Sequence, residues 1–236
     1  MRIANILKYT ASVAVLAAFA GSASAQEANR QVDEIVVTAQ KREQSLQNVP
    51  IVVTALPQKL LQDAGVKDIK DLTILTPGLM VTSTSNETVT TARIRGIGTV
   101  GDNPGLESSV GVVVDGVYRP RNGVGFGDLG ELERVEVLKG PQGTLFGKNA
   151  SAGVVSIITR APSPVLKGFA EASYFDKNEY RLRGGVSGPI SDTLRGGVTG
   201  VFGHYDGNTK NLFDGSTVNG YERLGARAKL EWTPSD

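Results

Sequence analysis

From residue 162 to the last residue, apolar and polar side chains alternate almost one for one. Leu224, Ala226, Ala228, Leu230 and Trp232 fall on one side of an extended chain; Arg223, Gly225, Arg227, Lys229 and Glu231 fall on the other. Successive side chains of a strand point to opposite faces, so this period of two calls for β-structure and not for an amphipathic helix. Tyr180, Leu182 and Val186 alternate in the same way with Glu179, Arg181, Arg183 and Ser187, and Leu194, Val198 and Phe202 with Arg195 and Thr199. The pattern predicts about four strands, at residues 168–175, 179–187, 194–205 and 222–232. Short Gly-Pro or Ser-Asp turns and one longer polar loop, residues 206–220, join them, with aromatics near the strand ends. Two architectures produce such alternation. One is an antiparallel sheet with one wet face. The other is a transmembrane barrel with apolar residues toward lipid and charged ones toward the lumen, and repetition over several strands favours it.

The start of the chain specifies a compartment. Arg2 and Lys8 precede a short apolar core, residues 13–20, too short to span a bilayer as a helix, and Ala23-Ser24-Ala25 forms a small-residue cleavage site. This reads as a signal peptide over residues 1–25, cleaved after Ala25, so the protein is expected to leave the cytoplasm. The chain has no cysteine, which removes disulfides from the argument. No apolar run is long enough for a transmembrane helix, so membrane residence requires a closed barrel. The charge is +1 overall, and −1 once residues 1–25, with their two basic residues, are removed. A near-neutral balance excludes nucleic acid as an expected partner.

Residues 46–160 mix short helical and extended signals. An apolar strand opens at Pro50, and residues 57–64 read as a short helix with Leu60 and Leu61 inward and Gly65 as its stop. Ile69, Leu72 and Leu75 fit a second short helix, ended by Thr76-Pro77-Gly78. Residues 89–97 read as one alternating strand, and Asp115-Gly116 between two Val-rich runs is a strong type I′ hairpin signal. About 115 residues suffice for one small core. Ahead of them, residues 26–31 are polar and aperiodic, and residues 33–39, DEIVVTA, form a β-prone segment with nothing local to pair with. Such a segment is either the first strand of the following domain or a docking peptide that adds to another protein's sheet edge.

Residues 133–160, ERVEVLKGPQGTLFGKNASAGVVSIITR, read as strand, Gly-rich turn, strand. A phosphate-binding loop fails on spacing. Gln142 stands where the pattern needs Gly, and Asn149 where it needs Ser or Thr. No nucleophile elbow accompanies any serine, no His or Cys cluster is present, and the one histidine, His204, lies in a strand-like run that suits a membrane-interface or lumen residue. No catalytic role and no cofactor are expected.

This stretch resembles the end of the plug domain of TonB-dependent outer-membrane receptors. NVPIVVTAL, LTPGLMV, RIRGIG and VVVDGVYRPR resemble earlier parts of that domain in the same order, and DEIVVTA resembles the TonB box. The resemblance implies an α+β plug domain, a mixed small sheet with short helices, followed by the first antiparallel strands of a transmembrane β-barrel. It divides the chain into signal peptide (1–25), flexible arm with TonB box (26–45), plug (46–160) and about four strands (161–236) of a barrel that has about 22 in the family. On that count the chain is expected to be an amino-terminal fragment.

The resemblance also implies roles. Asp33, Glu34, Ile35, Val36, Val37, Thr38 and Ala39 would be gripped by TonB, energised by its inner-membrane complex. Two Gly-rich loops, residues 99–108 and 120–127, would face outward, with Asp102, Asn103, Arg119, Arg121 and Asn122 as candidates for the solute. Arg95 and Lys139 would lock plug to barrel wall, although Lys139 stands where relatives carry Arg and lacks its bidentate fork. The implied function is active uptake across the outer membrane of a scarce solute, with a ferric siderophore as the default. The alternative is a non-transporting periplasmic binding or interaction module made of the plug.

Overall fold

Valine-rich runs build the centre of the molecule. The computed structural model describes residues 35–66, 68–83, 90–99, 106–120 and 131–234. Five strands form one sheet: β3 (Val52–Pro57), β7 (Val110–Val114), β8 (Val117–Arg119), β9 (Leu132–Lys139) and β10 (Gly153–Thr159). Their order is β3-β9-β10-β7-β8. β10 runs parallel to β7 and antiparallel to β9. All five residues of β7 are buried, as expected of a strand covered on both faces. The Asp115-Gly116 turn joining β7 to β8 has φ of 47° and 81°, the paired positive values of a type I′ turn.

Alternation distributes the sheet's side chains between two cores. Val112, Val114, Val135, Val137, Val155 and Ile157 point to one face and pack on Leu56, Leu61, Ile69, Leu72, Leu79 and Ile94. Leu56 belongs to β3 itself; the others come from α1 (Gln58–Asp63), a 3₁₀ turn (Ile69–Asp71) running into α2 (Leu72–Leu75), and a three-stranded sheet of β4 (Leu79–Ser83), β5 (Thr90–Ile94) and β6 (Ile97–Gly98). Val113, Leu138 and Val154 point to the other face, where Val37, Ala39, Val49 and Ala150 cover them. A third short helix, α3 (Gly143–Phe146), follows β9.

Two local expectations are corrected. Residues 89–97 are not one strand: β5 folds back into β6 through Arg95-Gly96, both at positive φ (53° and 79°). The glycine at the second turn position was the available signal. In α1 only Leu61 is buried, whereas Leu60 is exposed, because six residues present a single narrow stripe inward.

The alternating region forms a separate antiparallel sheet in the order β11-β12-β13-β16. Its strands are β11 (Lys167–Phe175), β12 (Glu179–Pro189), β13 (Leu194–Tyr205) and β16 (Tyr221–Trp232). Between the last two, β14 (Thr209–Lys210) and β15 (Thr217–Val218) form a small hairpin in the long loop. Register places Leu182, Phe202 and Leu224 in one cross-strand row, and Val186, Val198 and Ala228 in another. The polarity is inverted relative to a water-soluble sheet. Along β16 every apolar member of the Leu224–Trp232 row is exposed, while Arg223, Arg227, Lys229 and Glu231 are half-buried. This favours the second of the two architectures open at the sequence level, in which the apolar side of the sheet faces lipid.

Candidate functional site

The segment expected to be a free docking peptide is folded onto the plug. β1 (Val36–Val37) pairs antiparallel with β2 (Gln44–Ser45), and Leu46 N–H donates to the Ile35 carbonyl at 2.9 Å. The turn between them is closed by Lys41 N–H to the Thr38 carbonyl at 2.9 Å. The expectation that the segment has nothing local to pair with is therefore not met; its partner lies only a few residues downstream. Val37 and Ala39 are buried, while Ile35 and Val36 are exposed. Complete burial of a valine side chain contributes about 1.5–3 kcal/mol, so the arm is seated by packing as well as by its short ladder. Asp33 and Glu34 lie outside the described residues.

A polar contact completes this seat. Thr38 N–H donates to Glu136 Oε1 at 2.8 Å and Thr38 Oγ1 to the same oxygen at 3.1 Å. Arg134 Nε donates to it at 2.8 Å. Glu136 belongs to the row of β9 that points toward the arm, and it is fully buried. No sequence reading singled it out; the only signal was one acid in the apolar row of VEVL.

Arg95 and Lys139 meet at one place. Lys139 Nζ donates to the Pro77 carbonyl at 2.9 Å, and Arg95 N–H to the Gly78 carbonyl at 2.7 Å. Both thus brace the Thr76-Pro77-Gly78 turn inside the plug, with the Arg95 side chain exposed. Among the described residues, others join the plug to the four long strands. Lys229 Nζ, on the charged row of β16, donates to the Thr159 carbonyl at 3.0 Å and to Thr159 Oγ1 at 3.2 Å. Thr159 in turn donates its N–H and hydroxyl to the Asp115 carboxylate at 2.8 and 2.5 Å. Lys229 and Asp115 approach to 3.8 Å. Beside this junction a cavity of about 510 Å³ opens between α1 and the inner face of β11 and β12, lined by Gln58, Glu131, Arg160, Phe169 and Arg183 among others.

The two Gly-rich loops leave the same end of the β7–β8 hairpin, because β7 begins where β8 ends. Asp102, Asn103, Arg121 and Asn122 lie outside the described residues; Arg119, at the end of β8, is exposed. The far end of the first loop is tied down. Thr99 Oγ1 donates to the Glu107 carbonyl at 2.8 Å, and Glu107 pairs with Lys148 at 2.5 Å. Hydrogen bonding from Lys148 holds the Glu107 carboxyl below its usual range.

Comparison with known proteins matches this geometry. The family described as TonB-dependent Receptor Plug Domain matches residues 45–154. The pesticin receptor of Yersinia pestis is 34% identical over 221 residues, covering 91% of this chain and 32% of the receptor. The iron-regulated outer membrane virulence protein of Vibrio cholerae is 32% identical over 195 residues, covering 75% of this chain and 28% of that protein. The chain thus spans about a third of the length of the curated relatives it matches. Among solved structures, the ferric yersiniabactin uptake receptor of Yersinia pestis superposes with a TM-score of 0.73 at 32% identity, over 79% of this chain and 29% of the receptor. The pyoverdine outer membrane receptor of Pseudomonas aeruginosa, at 22% identity and a TM-score of 0.67, covers 84% of this chain and 28% of its own and shares the fold. The chain belongs to the TonB-dependent receptors, carrying their plug domain and antiparallel strands that follow it.

Proposed function

We propose that this chain acts as plug and adjoining wall of an outer-membrane receptor that takes up a ferric siderophore in a TonB-dependent step. The observation that carries the reading is the inverted sheet. Its apolar face is exposed, its charged face is turned inward, and Lys229 of that inner face holds the plug at Thr159. A periplasmic binding module has no use for an outward apolar sheet, so the same observation weighs against the alternative. The similar proteins from Yersinia and Pseudomonas that are named for yersiniabactin and pyoverdine support an iron-chelate solute.

Within this reading, residues 1–25 are a signal peptide cleaved after Ala25, residues 26–45 the docking arm, residues 46–160 the plug and residues 161–236 wall strands. Asp33 to Ala39 are the TonB-docking residues, and TonB with its inner-membrane complex is the partner. Asp102, Asn103, Arg119, Arg121 and Asn122 face the solute, since both loops issue from one end of the β7–β8 hairpin. Arg95 and Lys139 brace the plug where it meets the barrel wall. The protein is a transport receptor and not an enzyme. Deleting the gene in its own host should abolish TonB-dependent uptake of one labelled ferric siderophore under iron limitation. Undiminished uptake across a panel of ferric siderophores overturns the reading.

A further inference from the structure

The short β1–β2 ladder determines which way the arm's backbone points. Leu46 N–H binds the Ile35 carbonyl, so Ile35 and Val37 direct their backbone groups toward β2. By antiparallel alternation, Val36 and Thr38 direct theirs to the opposite edge. That outer edge is where a partner strand would add. Its Thr38 N–H is already bound, at 2.8 Å, by Glu136 Oε1. The same oxygen receives the Thr38 hydroxyl and Arg134 Nε, while the buried Oε2 has no partner among the described residues. Glu136 and Thr38 are 98 positions apart in the chain.

We propose that Glu136 is an autoinhibitory acceptor. Its carboxyl group occupies the position that a carbonyl of an incoming strand would take, and so keeps the arm's outer edge closed. The proposal rests on the reading of residues 33–39 as the TonB-docking segment, and adds the residue that governs its availability. TonB can extend the ladder through Thr38 only after Thr38 leaves Glu136. Leaving also withdraws Val37 and Ala39 from the core that they share with Val113, Leu138 and Val154. Glu136 is thus a positioning residue: it does not touch TonB, and it sets how often the arm is free.

The chain contains no cysteine, so Val37→Cys introduces a single thiol at a fully buried position of the arm. With the full chain purified in detergent, maleimide labelling of that thiol reports arm release. Charge-assisted hydrogen bonds are roughly twice as strong as neutral ones, so adding Glu136→Gln should speed labelling about tenfold. Val112→Cys, buried in the core on the other face of the sheet, should stay protected in the same background and thereby exclude general unfolding. If it does not, Thr38→Val decides: it removes only the hydroxyl's bonds, to Glu136 and from Arg134, keeps the Thr38 N–H bond, and should speed labelling severalfold. Purified TonB carboxy-terminal domain should bind the Glu136→Gln chain about tenfold more tightly, in proportion to arm release. Equal labelling with and without Glu136→Gln, or with and without Thr38→Val where that variant decides, overturns the acceptor. Faster labelling with unchanged TonB affinity overturns the docking reading and, with it, the autoinhibitory role.

Discussion

Asp68 is a buried carboxyl whose ionisation opposes the fold. It caps the 3₁₀ turn at Ile69–Asp71, accepting Lys70 N–H at 2.7 Å, while Asp71 accepts the Asp68 N–H at 3.1 Å. Burial, and then repulsion from Asp71, raise its pKa above the ordinary 3.8. The folded state therefore keeps this proton to higher pH than the unfolded chain does. The cost is absent below 3.8, grows as pH rises through the folded value, and is constant above it. Asn caps as well as Asp, so Asp68→Asn should keep the turn, raise plug stability at neutral pH, and flatten the fall of stability with rising pH. Urea unfolding of the plug, followed by hydrogen exchange at two pH values, checks both. Gly153 is a different residue-scale constraint. Its φ is 151°, and a Cβ there would lie 2.3 Å from the Leu138 carbonyl oxygen and 2.7 Å from Ile94 Cδ1. Neither the β9 backbone nor a fully packed isoleucine can yield, so Gly153→Ala should destabilise the plug by roughly 2–3 kcal/mol. Of the pair expected to lock the plug, Arg95→Ala keeps the backbone bond to Gly78, so within this chain Lys139→Ala, which loses its side-chain bond to Pro77, should loosen the turn more. Equal protease sensitivity of the two variants contradicts that ranking.

Short elements do the connecting work here, and their behaviour separates docking from seating. Proline at position 36 removes an N–H that the alternation of β1–β2 directs away from β2. Val36→Pro should therefore leave the seated arm in place while blocking addition of a partner strand, so energised uptake is lost and solute binding is kept. Normal uptake by this variant rejects strand addition as the docking mode. At the other end of the plug, Lys229 ties β16 to β10 and to the Asp115-Gly116 turn. Lys229→Met keeps the aliphatic stem and removes the ammonium. It should cost about 1–2 kcal/mol, visible as faster exchange around Asp115 and Thr159, with the β13–β16 ladder unaffected. The four long strands were legible in the sequence because a period of two extends over many residues. The Asp115-Gly116 turn was legible because its chemistry is local. The Arg95-Gly96 turn was passed over, since Arg93, Ile94 and Arg95 alternate right up to it. The arm's seat and the Lys229 junction were not legible at all. Each joins residues some 70 to 98 positions apart, and nothing in either local segment announces its partner. Glu136, an acid in the middle of an apolar strand, was the one visible irregularity.

For the whole molecule, the two sheets make opposite demands on their surroundings. The plug's sheet buries both faces, one under the helices and β4–β6, the other under the arm. It carries its own core and asks nothing of a membrane. The second sheet exposes Leu182, Val186, Val198, Leu224, Leu230 and Trp232 on one face. Among the described residues, β11 and β16 each have one ladder neighbour, so each presents an unpaired edge. In water such a face and such edges drive association between copies, and in lipid each unpaired backbone group costs several kcal/mol. Residues 26–160 produced alone should accordingly remain soluble and monomeric, with the slow-exchanging amides in β7, β9 and β10. Residues 26–236 should aggregate unless detergent covers the apolar row, and should show no saturable solute flux in liposomes. Sedimentation of both products, with and without detergent, makes the comparison. A monomeric, detergent-free 26–236 would mean that the apolar row is covered within the chain, and the inverted polarity of β16 would then lose its reading as a lipid-facing wall.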